Sequence, residues 1–150
     1  FSGLKRNSIT GAEEVASFLN VNELILIKTN AFHLDTVFTT IMDHRGKLCA
    51  VIVCKDLISK DSFDLLIKFS DLNNIKVINI PPIDSIGINN IIGSLAVNNF
   101  SAPGLLISSS RFSEPSVAKY LNSKNIKMEI TPVSQFQLSG GSIHCLTNEL

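Results

Sequence analysis

Two stretches of this chain close one segment and enter the next in the same way: "DLNNIKVINIP" at residues 71–81 and "YLNSKNIKMEITP" at residues 120–132. Asn74-Ile75-Lys76 and Asn125-Ile126-Lys127 stand 51 positions apart. Each copy follows a strand pair and then a helix. A period of this length, holding one helix and several strands, predicts modules arranged around an axis, about three of them in this chain. Four-stranded propeller blades carry no helix, so an all-β propeller does not fit.

The periodicity fills in the elements. Thr10-Gly-Ala-Glu13 has the form of a capping box, and Ala12, Val15, Ala16 and Leu19 follow at helical spacing, which predicts a helix over residues 10–20. "ELILIK", "DTVFTTIM" and "LCAVIV" read as strands. The last two are joined by Asp43-His44-Arg45-Gly46, a hairpin connection with a turn glycine. A helix carrying Phe63, Leu66, Ile67 and Phe69 leads to the strand "IKVINI". The second half gives "SLAVNNF", the turn "SAPG", the strand "LLISS", a helix near residues 114–121 and the strand "IKMEIT".

Composition narrows the function classes. Hydrophobic residues make up 45% and charged residues 17% of the 150, which suits one packed domain rather than a disordered chain. Basic and acidic residues balance at 13 each with no block of like charge, so neither nucleic acid nor an anionic membrane is an expected partner. Every apolar run falls short of the roughly 18 residues that span a bilayer. No signal peptide is expected, and the chain opens on Phe1 rather than methionine. Three cysteines do not make a disulfide scaffold, so a reducing, cytoplasmic setting is expected.

Few residues could carry chemistry. Cys145 follows Gly140-Gly141, and glycine allows a positive φ or a close approach to a ligand. "SIHCLT" reads as a strand, in which His144 faces away from Cys145 and cannot serve as its base. A cysteine in an apolar strand is more often inert core than nucleophile. In "AFHLDTVF", His33 and Asp35 share one face if the segment is extended, a pairing suited to binding a cation and moving a proton. A hydrogen-bonded histidine at a strand's entry is the commoner reading of that motif. His44 belongs to a polar turn and reads as solvated. Cys49 and Cys54 fall on opposite faces and read as packing residues. Arg6, in a polar opening loop, offers a fork for a substrate carboxylate. No Cys or His pair has zinc spacing, and no metal or cofactor is expected.

Taken together, "FSGLKRNSITGAEEVASFL", "FHLDTVF" and "LSGGSIHCLT" resemble, in this order and spacing, the guanidino-group-modifying enzymes of pentein fold: dimethylarginine dimethylaminohydrolases, arginine deiminases and their relatives. The resemblance runs end to end. It implies that residues 1–150 are the carboxy-terminal portion of a single such domain, an α/β propeller of ββαβ units of which about three of five are here. It implies Cys145 as nucleophile, His33 as general acid and base, and Asp35 as a guanidinium-binding carboxylate. Arg6 matches the residue that holds the substrate's α-carboxylate, although "GLKRNS" departs from the family's usual Arg-Thr, and the carbonyl near Ser139 matches an acceptor for the α-amino group. The carboxylates that orient the histidine and complete the guanidinium site lie upstream in the family, so this chain alone is expected to be inactive. The implied activity is hydrolysis at the guanidino carbon of arginine or a methylated arginine, giving citrulline. An amidinotransferase and a noncatalytic binding module of the same fold are the alternatives, and homo-oligomerisation is left open.

Overall fold

The computed structural model describes residues 1–148. The chain opens with β1 (Ser2–Gly3), α1 (Ile9–Phe18) and β2 (Leu26–Ile27), the two short strands pairing in parallel across the helix. Two complete ββαβ units follow. The first is β3 (Phe38–Met42), β4 (Leu48–Val53), α2 (Lys60–Asn73) and β5 (Lys76–Asn79). A small hairpin of β6 (Gly87–Ile88) and β7 (Ile91–Ile92) intervenes. The second unit is β8 (Phe100–Ala102), β9 (Leu105–Ser108), α3 (Pro115–Ser123) and β10 (Lys127–Ile130). A short α4 (Ser134–Gln137) and a 3₁₀ turn, His144–Leu146, complete the described chain.

The repeat is structural. In each unit the first two strands form an antiparallel hairpin, and the third returns through the helix to lie parallel to the second, giving the orders β3-β4-β5 and β8-β9-β10. Asn74 and Asn125 take the same left-handed backbone, φ 56° and 55°. Asparagine tolerates that conformation better than most residues, so it stops the helix and turns the chain into the next strand. The residue after it drives inward: Ile126 is buried and Ile75 half-buried.

β4, the central strand of its sheet, buries residues 50–53 without interruption, as a strand covered on both faces should. Leu66 of α2 and Ile78 of β5 pack into the same core as Leu106, Val117 and Leu121 of the second unit. Truncating a side chain as enclosed as Leu66 to alanine costs about 2–5 kcal/mol. Cys49 and Cys54 are packing residues, and burial, with Asp56 nearby, pushes the Cys54 thiol up to about 11. Polar contacts join the two units. The Tyr120 hydroxyl donates to the Cys49 carbonyl at 2.8 Å, and the buried Asp84 carboxylate accepts from the amides of Ser113 and Glu114 ahead of α3. His44 is no free turn residue: its Nε2 lies 2.9 Å from the Asn125 carbonyl, and its ring covers Gly104.

Several sequence expectations shift. The cap of α1 is Ser8, whose side chain accepts from the Gly11 amide, so Thr10 lies inside the helix and the capping box does not form. Of "ELILIK" only Leu26–Ile27 pairs. "DTVFTTIM" begins as a 3₁₀ turn, Leu34–Thr36, because the Thr36 hydroxyl bonds back to the His33 carbonyl at 2.6 Å and offers the backbone a competing arrangement. "SLAVNNF" stays irregular until Phe100, with Leu95 at φ 52°.

Candidate active site

Three separated segments meet at Asp35. The first is the turn that begins after His33. The second is residues 97–99, irregular backbone between the two units. The third is the 3₁₀ turn His144–Leu146. This last element overturns the strand reading of "SIHCLT" and its consequence. With about three residues per turn, successive side chains diverge by a third of a circle rather than a half, so His144 and Cys145 can reach one target. His144 Nδ1 lies 2.9 Å from Asp35 Oδ2, and Cys145 Sγ lies 3.6 Å from the same oxygen. His144 therefore does not point away from the site.

Asn98 ties the arrangement together and went unrecognised in the sequence. It is fully buried. Its side-chain amide donates to the Asp35 carbonyl at 3.3 Å, and its side-chain oxygen accepts from the Cys145 amide at 3.4 Å. The His144 amide adds a bond to the Asn98 carbonyl at 3.3 Å. The available signal was a pair of asparagines closing an apolar run, since a buried amide must find partners.

Asp35 carries the electrostatics. Burial opposes its ionisation, but the hydrogen bond and charge of His144, with the Cys145 contact on the same oxygen, outweigh burial and hold the carboxyl below its ordinary value. Its Oδ1 is buried and, among the described residues, has no hydrogen-bond partner. A buried carboxylate oxygen left unpaired is costly, so this atom suits a donor brought by a ligand.

Asp35 also stands between two clefts. One, of about 310 Å³, is lined by Lys5, Arg6, Phe32, His33 and Asp35 among others. The other, of about 510 Å³, is lined by Asp35, Thr39, Asn99, Ser101 and His144 among others. His33 and Asp35 thus share a cleft, although they do so from a turn and not from one face of a strand. Arg6 joins them because β1 runs close over the turn: a Cβ on Gly3 would sit 2.8 Å from Leu34 Cβ.

Cys145 is exposed and not sealed in the core. Gly140 holds φ +84°, a conformation that glycine adopts without strain, and a Cβ on Gly141 would already touch Cys145. Ser139 is exposed on the turn after α4, its amide bonded to the Phe136 carbonyl at 2.9 Å, and it lines neither cleft. Among the described residues no group of three or more His, Cys, Asp or Glu side chains could hold a metal, and no helix is long and apolar enough to cross a membrane.

No family profile and no curated protein matches the sequence. Solved structures do match the fold. The N-terminal domain of ArgZ, an arginine dihydrolase from the ornithine–ammonia cycle in cyanobacteria, superposes with a TM-score of 0.74 at 17% identity, over 95% of this chain and 47% of that domain. AgrE, in its ternary complex with ornithine and NAD+, gives 0.73 at 17% identity over 93% of this chain and 19% of that one. SxtG, an amidinotransferase from Microseira wollei in the saxitoxin biosynthetic pathway, gives 0.61 at 16% identity over 93% of this chain and 38% of that one. The chain spans about half the length of the ArgZ domain. The α/β architecture of ββαβ units expected from the sequence is the fold these proteins share, the pentein type.

Proposed function

We propose that this chain is the carboxy-terminal portion of a guanidino-modifying enzyme, a C–N hydrolase acting on arginine or a methylated arginine through a covalent Cys145 intermediate. The observation that carries the reading is the Asp35 carboxylate: one oxygen lies 3.6 Å from an exposed cysteine sulfur, and the other is buried and unpaired among the described residues. A guanidinium is a planar cation with donors along its edge, and it satisfies the free oxygen while bringing its carbon toward the sulfur. The likeness in fold to arginine dihydrolases and an amidinotransferase supports the same chemistry.

In this reading Asp35 acts twice. Without substrate its Oδ2 accepts from the Cys145 thiol. A bound guanidinium takes over the carboxylate, and the thiol proton leaves to solvent before attack. The thiolate attacks the guanidino carbon, the C–N bond to the departing nitrogen breaks, and His33 protonates the leaving amine or ammonia. His33 then takes a proton from water, which displaces sulfur from the thiouronium and releases a ureido product such as citrulline. His144 keeps Asp35 ionised and aimed. Arg6 takes the α-carboxylate and the Ser139 carbonyl the α-amino group. An amine in place of water would make the same site an amidinotransferase. A noncatalytic module has no use for a cysteine and carboxylate so placed. The test is acid quenching of the complete protein during turnover of arginine or a methylated arginine: a mass adduct on Cys145 is expected, and its absence with no ureido product across guanidino compounds would favour the noncatalytic module.

A further inference from the structure

Phe32 is a large apolar side chain that the fold leaves 57% exposed, so core packing does not account for it. Both of its ring contacts are to residues of the candidate site. The Arg6 guanidinium carbon sits over the ring, 3.9 Å from its centroid. The His33 imidazole centroid lies 4.5 Å from it, with the planes at 43°. Among the described residues Arg6 forms no ion pair. We propose that Phe32 is a positioning residue that presents Arg6 to the carboxylate of a guanidino amino acid, which makes this ring a determinant of amino-acid over amine substrates.

The physical argument is geometric. A guanidinium stacked on an aromatic ring uses its flat face, and the five N–H donors in its plane remain available to a carboxylate. The two interactions therefore do not compete. A free arginine side chain loses rotamer freedom when it grips a ligand, and one already held on a ring loses less. The same ring touches His33, so the carboxylate end and the proton-transfer end of the cleft are referenced to one rigid plate. The inference rests on the proposed function, since it takes Arg6 as the carboxylate clamp.

The experiment separates the two. In the complete protein carrying Cys145→Ser, so that binding is read without chemistry, the Kd for arginine is compared with the Kd for agmatine, which carries the same guanidino group without a carboxylate. Any effect that Phe32 exerts through His33 or through general stability is common to both ligands and drops out of their ratio. Phe32→Leu should reduce the preference for arginine about two- to fivefold, the loss expected for an exposed cation–π contact. Phe32→Tyr should restore it. In an Arg6→Ala background, Phe32→Leu should reduce it no further. An unchanged preference in Phe32→Leu would overturn the inference. If the complete wild-type protein that contains this chain modifies no guanidino compound, the proposed function fails on its own, and the Arg6 Nε–H resonance decides the remainder. That resonance should move when Phe32 becomes leucine, and an unmoved one overturns the positioning role.

Discussion

His144 and Asp35 are 109 positions apart, yet His144 Nδ1 lies 2.9 Å from Asp35 Oδ2. Cys145, the next residue, approaches the same oxygen. One carboxylate therefore couples the turn after His33 to the turn that presents the sulfur, and buried Asn98 bridges the two backbones behind it.

Nucleophile and proton carrier should separate cleanly by mutation. In a complete protein Cys145→Ser should abolish ureido-product formation, because an alcohol is a far poorer nucleophile here. His33→Ala should lower kcat by about 10²- to 10⁴-fold, the usual contribution of a general acid–base group. Steady-state rates on arginine check both, and full turnover by Cys145→Ser would rule Cys145 out as the nucleophile.

Asp35→Asn keeps the shape and removes the charge. Guanidinium binding should weaken by about 2–3 kcal/mol, the worth of a charged hydrogen bond, or roughly 30- to 150-fold in Kd. His144→Ala should weaken binding less, since Asp35 keeps its charge and loses one partner. Calorimetry with arginine would measure both effects.

Asn98→Ala removes both bridges from one buried position. Unfolding free energy should fall by about 1–3 kcal/mol for the polar groups left unpaired. Cys145 should also lose its register with Asp35, so kcat should fall further than stability alone explains. Denaturant unfolding paired with kinetics on the still-folded fraction distinguishes these effects.

The lowered carboxyl of Asp35 makes a statement about acid stability. A group whose folded value lies below its unfolded one binds fewer protons when folded. Its stabilisation is complete above the ordinary carboxylate range and is lost as pH falls through the folded value. Asp35→Asn should therefore flatten the acid limb of the stability curve between about pH 5 and pH 2. An identical slope in both proteins would contradict this.

Gly104 holds φ +70°, and a Cβ there would lie 2.3 Å from His44 Nδ1. Gly104→Ala should cost about 1–2 kcal/mol from backbone alone, and more because His44 is pushed off the Asn125 carbonyl. In His44→Ala the second part should disappear. A double-mutant cycle by thermal unfolding measures the difference.

The sequence by itself determined the modular plan. Its two Asn-Ile-Lys segments set the helix-to-strand corner in each unit, because left-handed asparagine and an inward isoleucine are local requirements that any copy must meet. It also singled out Cys145, His33, Asp35 and Arg6 by residue type and spacing, and the last three line one cleft. Tertiary structure decided what local pattern could not. "SIHCLT" alternates like a strand but finds no strand partner among the described residues, and bonds to Asn98 hold it as a 3₁₀ turn that swings His144 toward Asp35. The Thr36 hydroxyl likewise bends a segment that periodicity reads as extended. Asn98 was illegible for the same reason: its partners lie 47 and 63 positions away, and only packing brings such groups together.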